Sequence, residues 1–133
     1  MGEILIFAEG IVVYNGDAEI GVTISIDAIG PAQNITLHKV DTRDSMAINT
    51  TRLRTMTGQG IIAGDKITIS TVKGRKSITL LRGGIYTNIL NTLNKGANWF
   101  QLSKGENVFA FEAEQGIENL IFTIENRTLF EGV

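Results

Sequence analysis

The side chains in this sequence best suited to binding chemistry are two aromatic residues and one basic cluster. Trp99 and Tyr14 are candidates for a carbohydrate contact, because sugar rings stack on exposed aromatic faces. Lys73, Arg75 and Lys76 lie together in "VKGRK", where neighbouring cations can contact an acidic partner. The sequence therefore predicts these residues as candidate contacts for a carbohydrate or a protein partner.

Each candidate also has a purely structural interpretation. Trp99 is followed by Phe100 and Leu102, a setting typical of a core residue. Cations at the tip of a hairpin also keep edge strands from pairing with other chains. Exposure of Trp99 or Tyr14 beside polar side chains would favour the carbohydrate interpretation, whereas burial of both rings would favour the structural one.

Residues with catalytic or metal-binding chemistry are sparse. The chain has no Cys and a single His, His38, and no serine lies in a Gly-x-Ser-x-Gly motif. Asp41 and Asp44 in "DTRD" lack the spacing of a calcium-binding EF-hand, and "GQGIIAG" has the wrong spacing for a dinucleotide fingerprint. The sequence predicts a protein that is not an enzyme, with no catalytic residue, no cofactor and no metal site.

Length and composition are those of one globular domain. The 133 residues are 43% hydrophobic and 20% charged, with a net charge of -2. Such a balance leaves no basic stripe to neutralise phosphates, so no nucleic acid partner is predicted. The N-terminal "MGEILIFAEG" lacks the basic region and long apolar run of a signal peptide or membrane span. We expect residues 1–133 to form a single domain without membrane insertion.

Alternation of apolar and polar residues is the dominant pattern along the chain. It predicts about eight to ten short strands separated by Gly-containing turns, the arrangement of a sandwich or barrel. The fold class predicted is all-β, an antiparallel two-sheet β-sandwich. The alternating residues include Ile4 and Ile6, Val22, Ile24 and Ile26, Ile35 and Leu37, Ile67 and Ile69, and Leu120, Phe122 and Ile124.

One stretch departs from this pattern and predicts a short helix, or a turn or two, near residues 87–94. Its apolar residues have the spacing of one helical face, and Thr87 is suited to cap the helix N-terminus. The face consists of Tyr86, Ile89, Leu90 and Leu93. We expect this helix to cover one open end of the sandwich.

The segment "SKGENVFAF" predicts a turn that sets the register of a strand. Gly105 suits the positive φ of a tight turn, and the Asn107 side chain can bond to nearby backbone. Phe109 and Phe111 then share the face that enters the core. A shift of one residue in the strand pairing would turn both rings outward. We therefore expect the turn to set the pairing register of this strand.

Over most of its length the sequence resembles a known family, the siphovirus distal tail proteins. The likeness covers residues 64–133 and 12–30 and is weaker over 1–11 and 38–57. It lies in the order of its motif residues: Gly64 and Asp65, Lys76, Gly84, Asn88, Trp99 and Phe100, Leu102, Gly105, Asn107, and the terminal Glu131, Gly132 and Val133. The upstream Asn15, Gly16 and Asp17 resemble the turn before the first sandwich strands of that family.

The resemblance implies a galectin-like, jelly-roll-like sandwich that forms the C-terminal half of a larger phage or prophage tail protein. In that family an N-terminal ring-forming domain builds the hub at the tail tip or baseplate. The function implied is structural and non-catalytic, with the protein made in the bacterial cytoplasm and placed at the virion tail tip. The partners implied are hub, tail-associated or receptor-binding proteins. The alternative function is a carbohydrate-binding module for a cell-surface polysaccharide.

Overall fold

The computed structural model describes residues 9–125, and nine strands lie within them in two sheets. In chain order the strands are β1 Glu9–Tyr14, β2 Thr23–Ala28, β3 Gln33–Lys39, β4 Asp44–Ile48, β5 Lys66–Ser70, β6 Ser77–Arg82, β7 Ile85–Asn88, β8 Gly105–Gln115 and β9 Leu120–Glu125. One α-helix, α1, spans Thr50–Thr57, and 3-10 turns span Leu90–Thr92 and Ile117–Asn119. The strand predicted around Ile4 and Ile6 and the motif residues Glu131, Gly132 and Val133 lie outside the described residues.

The strands pair antiparallel in two sheets, which confirms the predicted all-β sandwich. The four-stranded sheet has the order β1-β8-β3-β4, and the five-stranded sheet has the order β7-β6-β5-β2-β9. Alternate residues of both sheets point inward, as the period of a pleated strand requires. The apolar core therefore lies between the sheets.

Aromatic rings join the two sheets across this core. Phe111 of β8 stacks on Phe122 of β9, with ring centroids 4.3 Å apart. Phe109 of β8 packs against Phe100 at 5.7 Å in a tilted arrangement, and both are fully buried. Tilted and stacked ring pairs add to the free energy that area burial alone provides.

The predicted register turn at the start of β8 is confirmed. Gly105 has a φ of +102°, a conformation that favours glycine. The buried side chain of Asn107 accepts from the Ser103 N–H at 2.9 Å. Its amide also donates to the carbonyl of Val12 in β1 at 3.1 Å. One side chain thus shapes the turn and ties it to the neighbouring strand.

A short helix does close one end of the sandwich, but it lies elsewhere in the chain than predicted. Residues Ile85–Asn88 form strand β7, and only Leu90–Thr92 make a single 3-10 turn. Tyr86 is 72% exposed, so the expected apolar face is not formed. The helix does not form because residues 85–88 pair with β6 instead. The turn at Gly83 and Gly84, both with positive φ, returns the chain alongside β6, and hydrogen bonds of the sheet replace those of a helix.

The helix that covers this end is α1. The Asn49 side chain caps it by accepting from the Arg52 N–H at 3.0 Å, and Gly58 ends it in the left-handed conformation with φ +88°. Leu53, fully buried, anchors the helix to the core. Asn49 and Gly58, which flank "TTRLRTMT", are ordinary signals for the two ends of a helix. The segment between them has only a weak apolar pattern, so the sequence did not predict this helix.

Candidate functional site

The sandwich has two ends, which are defined by the direction of β5 and β6. The two ends carry different side chains. The helix end contains α1, the loop 58–65 and the C-terminal end of β6. The hairpin end contains the turn 71–76 between β5 and β6, the turn 40–43, and the loop 94–104. The candidate functional site lies at the hairpin end.

An open cavity of about 600 Å³ lies at the hairpin end, and it contains the sequence-predicted Trp99. Two of the predicted cations, Lys73 and Lys76, line the same cavity. The remaining lining residues are Asp44, Ala97, Asn98 and Gln101. The fold therefore brings an aromatic ring, two ammonium groups, a carboxylate and two amides to one surface.

Backbone hydrogen bonds position these side chains. The Arg75 N–H donates to the carbonyl of Val72 at 2.8 Å, which closes the turn that carries the lysines, and Gly74 occupies it with φ +81°. The Asn98 N–H donates to the carbonyl of Ser45 in β4 at 2.9 Å. These bonds fix the backbone of the turn and of the loop that line the cavity.

Trp99 is half-buried, since part of its ring packs against the core. The Lys76 ammonium lies 5.7 Å from the centroid of the indole ring. That distance is within the range of a cation–π contact, which contributes about 0.5–1 kcal/mol at exposed sites. Lys76 thus covers one face of the indole at the cavity.

The other predicted contact residues lie outside this cavity. Tyr14 is buried, with 9% of its surface exposed, and its hydroxyl donates to the carbonyl of Ala18 at 2.6 Å. Its ring therefore presents no open face for a sugar. Arg75 is exposed on the same turn as the lysines, yet it does not line the cavity.

Asp44, Asn98 and Gln101 belong to the cavity, but sequence reasoning did not associate them with Trp99. Asp44 accepts from the hydroxyl of Thr42 at 2.8 Å, and the Gln101 amide donates to the carbonyl of Thr71 at 3.3 Å. Isolated Asn and Gln residues carry no motif, so only the folded loop brings them together. Within residues 9–125 no group of three or more His, Asp or Glu side chains is placed to hold a metal ion.

Asp41 does not share the surroundings of Asp44, although both lie in "DTRD". Its carboxylate accepts from the ammonium of Lys39 at 2.6 Å and from the Val108 N–H at 2.8 Å. Desolvation would raise the pKa of Asp41, but these hydrogen bonds outweigh it and lower the pKa below its ordinary value. The Lys39 side chain is almost fully buried, so Asp41 neutralises a buried cation.

The helix end holds a second buried ion pair. Arg82 donates to both carboxylate oxygens of Asp65, at 2.8 and 2.6 Å, and also to the carbonyl of Gly60 at 2.6 Å. The hydrogen bonds with Asp65 raise the pKa of Arg82 above its ordinary value, although burial opposes this. A cavity of about 640 Å³ lies beside α1, but no aromatic side chain lines it. The hydrogen bonds of Arg82 at this end are thus made within the chain.

The family described as "Siphovirus-type tail component, C-terminal domain" matches residues 15–127 of the chain. The chain belongs to this family. The match covers strands β2 to β9, including residues 38–57, where the resemblance read from the sequence was weaker, and strand β1 lies before it. No curated protein and no solved structure matches the chain. The predicted family is therefore confirmed.

The outer face of the four-stranded sheet gives this tail component an apolar patch, which we call the β1 patch. It consists of Ile11 and Val13 on the edge strand with Val40 and Val108 beside them. Ile11 is 63% exposed, Val13 55% and Val40 51%. Ile11 lies opposite Val108 in the strand register, and the Val40 N–H donates to the carbonyl of Val108. The four residues are therefore contiguous.

The outer face of the five-stranded sheet carries hydroxyl groups at the corresponding positions. Ser25 pairs with Thr68 and Thr123, and Thr68 pairs with Thr79, so one row of hydroxyls crosses four strands. Thr123 is exposed and Thr68 and Thr79 are half-buried, whereas Ser25 is buried, and the next row of this face carries the exposed Ile121 and Tyr86. In the part of the tail component that the structure describes, no helix is long and apolar enough to cross a membrane.

Proposed function

We propose that this chain is a structural, non-catalytic domain at the tip of a siphovirus tail, where it makes protein–protein contacts with neighbouring tail proteins. The observation that carries this proposal is the family match over residues 15–127, because that family is described as a tail component. The work of such a domain is done by its surfaces rather than by a reaction.

The β1 patch is the surface best suited to those contacts. Contiguous exposed apolar residues are typical of protein interfaces. Among the strands of residues 9–125, β1 lies at the edge of its sheet, where a neighbouring protein can also approach the backbone. We assign the patch to a neighbouring tail protein rather than to a sugar, since aliphatic side chains offer a saccharide neither hydrogen bonds nor an aromatic face.

We also propose that residues 1–133 form one sandwich domain and that this domain is the C-terminal part of a longer tail protein. The description of the family as a C-terminal domain supports this arrangement. A ring-forming domain that precedes it would supply the hub, and the sandwich would supply contacts to receptor-binding or tail-associated proteins.

Immunogold electron microscopy of phage particles tests the location. An antibody raised against this chain should label the tip of the tail and leave capsids unlabelled. Label absent from tails, with the antibody shown to detect the protein in the same lysate, would contradict the structural role.

The β1 patch is tested separately by introducing Ile11→Asp with Val13→Asp into the phage genome. Because both side chains are exposed, the fold should tolerate the change, while particles with complete tails should fall at least about 10-fold through loss of interface hot spots. Tyr86→Asp with Asn88→Asp, two exposed residues two apart on β7, the edge strand of the five-stranded sheet, is the matched control. Equal particle yields from the two double variants would remove the patch from the proposal.

A further inference from the structure

We infer that the cavity at the hairpin end is a binding site for an acidic saccharide, that is, a sugar that carries a phosphate or carboxylate group. This function goes beyond the protein contacts proposed above and does not depend on them. It rests on the side chains that the fold brings together around Trp99.

The indole of Trp99 is placed to receive a sugar ring. It lines the cavity, and the Lys76 ammonium lies over it at 5.7 Å. Lys76 is exposed on a long flexible stem, so it can leave the ring when a ligand takes its place. The C–H face of a sugar ring then covers the indole and keeps the apolar contact that Lys76 provides in the empty cavity.

The charges of the cavity favour an acidic group on that sugar. Lys73 and Lys76 supply two ammonium groups against the single carboxylate of Asp44. A phosphate or carboxylate lying between the lysines forms charge-assisted hydrogen bonds, which are about twice as strong as neutral ones. Asp44 would repel the acidic group from its own side of the cavity, which orients the ligand.

Polar groups suited to sugar hydroxyls complete the site. Asn98 and Gln101 line the cavity with amide groups, and the Asp44 carboxylate accepts hydrogen bonds. The Gln101 nitrogen already donates to the carbonyl of Thr71, which orients its oxygen as an acceptor. A volume of about 600 Å³ is within the range of small-molecule sites and suits one or two sugar rings.

The alternative ligand for a site with two lysines and a tryptophan is an acidic protein segment. The saccharide is favoured because the cavity combines its cations with amides and a carboxylate, groups that match vicinal hydroxyls. Against an acidic peptide the Asp44 carboxylate would be repulsive throughout, whereas a sugar offers it hydroxyl donors.

The test uses Trp99 as its own reporter, because the chain contains one tryptophan. Glucose 6-phosphate and N-acetylglucosamine 6-phosphate are titrated into the 133-residue chain while the indole emission is recorded. Glucose, N-acetylglucosamine, inorganic phosphate and a poly-glutamate peptide are titrated in parallel. We expect a saturable change with at least one sugar phosphate and an affinity at least about 10-fold above those of the matching neutral sugar and of phosphate.

The variants connect binding to the cavity. Lys73→Gln with Lys76→Gln should weaken binding of the sugar phosphate at least about 10-fold, because two charge-assisted contacts are lost. Arg75→Gln is the matched control, since it removes a cation from the same turn outside the cavity, and it should change the affinity less than about 2-fold. Trp99→Phe retains an apolar ring but should also weaken binding of the sugar phosphate. Because this variant lacks the fluorescent indole, its binding is measured by calorimetry.

Several results would overturn the inference. Absence of saturable binding by either sugar phosphate would do so, as would equal binding of phosphate alone or tighter binding of poly-glutamate. Equal affinity for the neutral sugar would show that the lysines do not select an acidic group. Equal effects of Arg75→Gln and the double lysine variant would place any binding elsewhere. Near-ultraviolet circular dichroism of each variant checks that the fold is retained.

Discussion

Arg82 at the helix end and the lysines Lys73 and Lys76 at the hairpin end use their charges in opposite ways. At the helix end, Arg82 is largely buried and donates hydrogen bonds to Asp65, Gly60 and Thr57. At the hairpin end, Lys73 and Lys76 are exposed and face an open cavity. A buried cation must be paired within the chain because desolvation of its charge is costly, whereas an exposed cation remains available to a ligand.

Burial, rather than position at one end, determines which role a cation takes. Lys39 belongs to the hairpin end, yet its side chain is almost fully buried and its ammonium contacts Asp41. It therefore behaves like Arg82 and not like its neighbours Lys73 and Lys76. The comparison can be tested by removing one charge from each class.

The largest effect is expected from Arg82→Ala. This change leaves the buried carboxylate of Asp65 without its cation, and removal of one partner of a buried pair costs about 3–5 kcal/mol of unfolding free energy. Urea denaturation followed by far-ultraviolet circular dichroism measures the loss. Arg75→Ala, an exposed arginine at the other end, should stay within about 0.5 kcal/mol of the wild type. Similar losses for the two variants would contradict the distinction between the ends.

A smaller and pH-dependent effect is expected from Asp41→Asn. Because the folded pKa of Asp41 is lowered, its contribution to stability is complete above the unfolded carboxyl pKa of about 3.9 and is lost as the pH falls through the folded value. The variant should therefore be less stable than the wild type at pH 7, and the difference should shrink in acid.

Urea midpoints at neutral pH and near pH 3 measure the change in that difference. Asp44→Asn is the matched control, since Asp44 lies nearby but contacts the hydroxyl of Thr42 instead of a buried cation. A deficit of Asp41→Asn that stays constant across this range would mean that the Lys39 contact does not control the titration of Asp41.

The smallest effect is expected from Lys76→Met. Methionine keeps most of the apolar stem and removes the charge over Trp99, so the unfolding free energy should fall by about 0.5 kcal/mol. Urea denaturation followed by Trp99 emission measures both the stability and the change in the surroundings of the ring. A loss as large as that of Arg82→Ala would show that the hairpin end is also a structural closure.

Local signals in the sequence were sufficient where a few neighbouring residues determine the conformation. Gly105 and Asn107 show this, since a positive φ and a side-chain bond to nearby backbone require no distant partner. The alternation of apolar residues likewise predicted the two sheets. Of the helix or turns predicted near residues 87–94, only the 3-10 turn at Leu90–Thr92 forms, because the glycine turn before it placed Tyr86 and its neighbours beside β6, and a pairing partner is not visible in local spacing.

The candidate site was predictable only in part for the same reason. Trp99, Lys73 and Lys76 were identified by residue type, and Tyr14 was grouped with them on the same ground. Tyr14 lies on the inner side of β1, however, and its ring is buried. Residue type identifies a side chain that can stack on a sugar, but it does not state which face of a strand the side chain occupies.

The sequence by itself determined the sandwich class and the turn that starts β8, because these depend on alternation and contacts between near neighbours, and the order of its motif residues carried the resemblance to the family. The tertiary structure alone decided which charges are buried in pairs, where the helix lies, and which side chains surround Trp99. Those features depend on contacts between residues far apart in the chain, such as Ser45 with Asn98 and Asp65 with Arg82. Such contacts exist only after the strands have paired and the loops have folded against them.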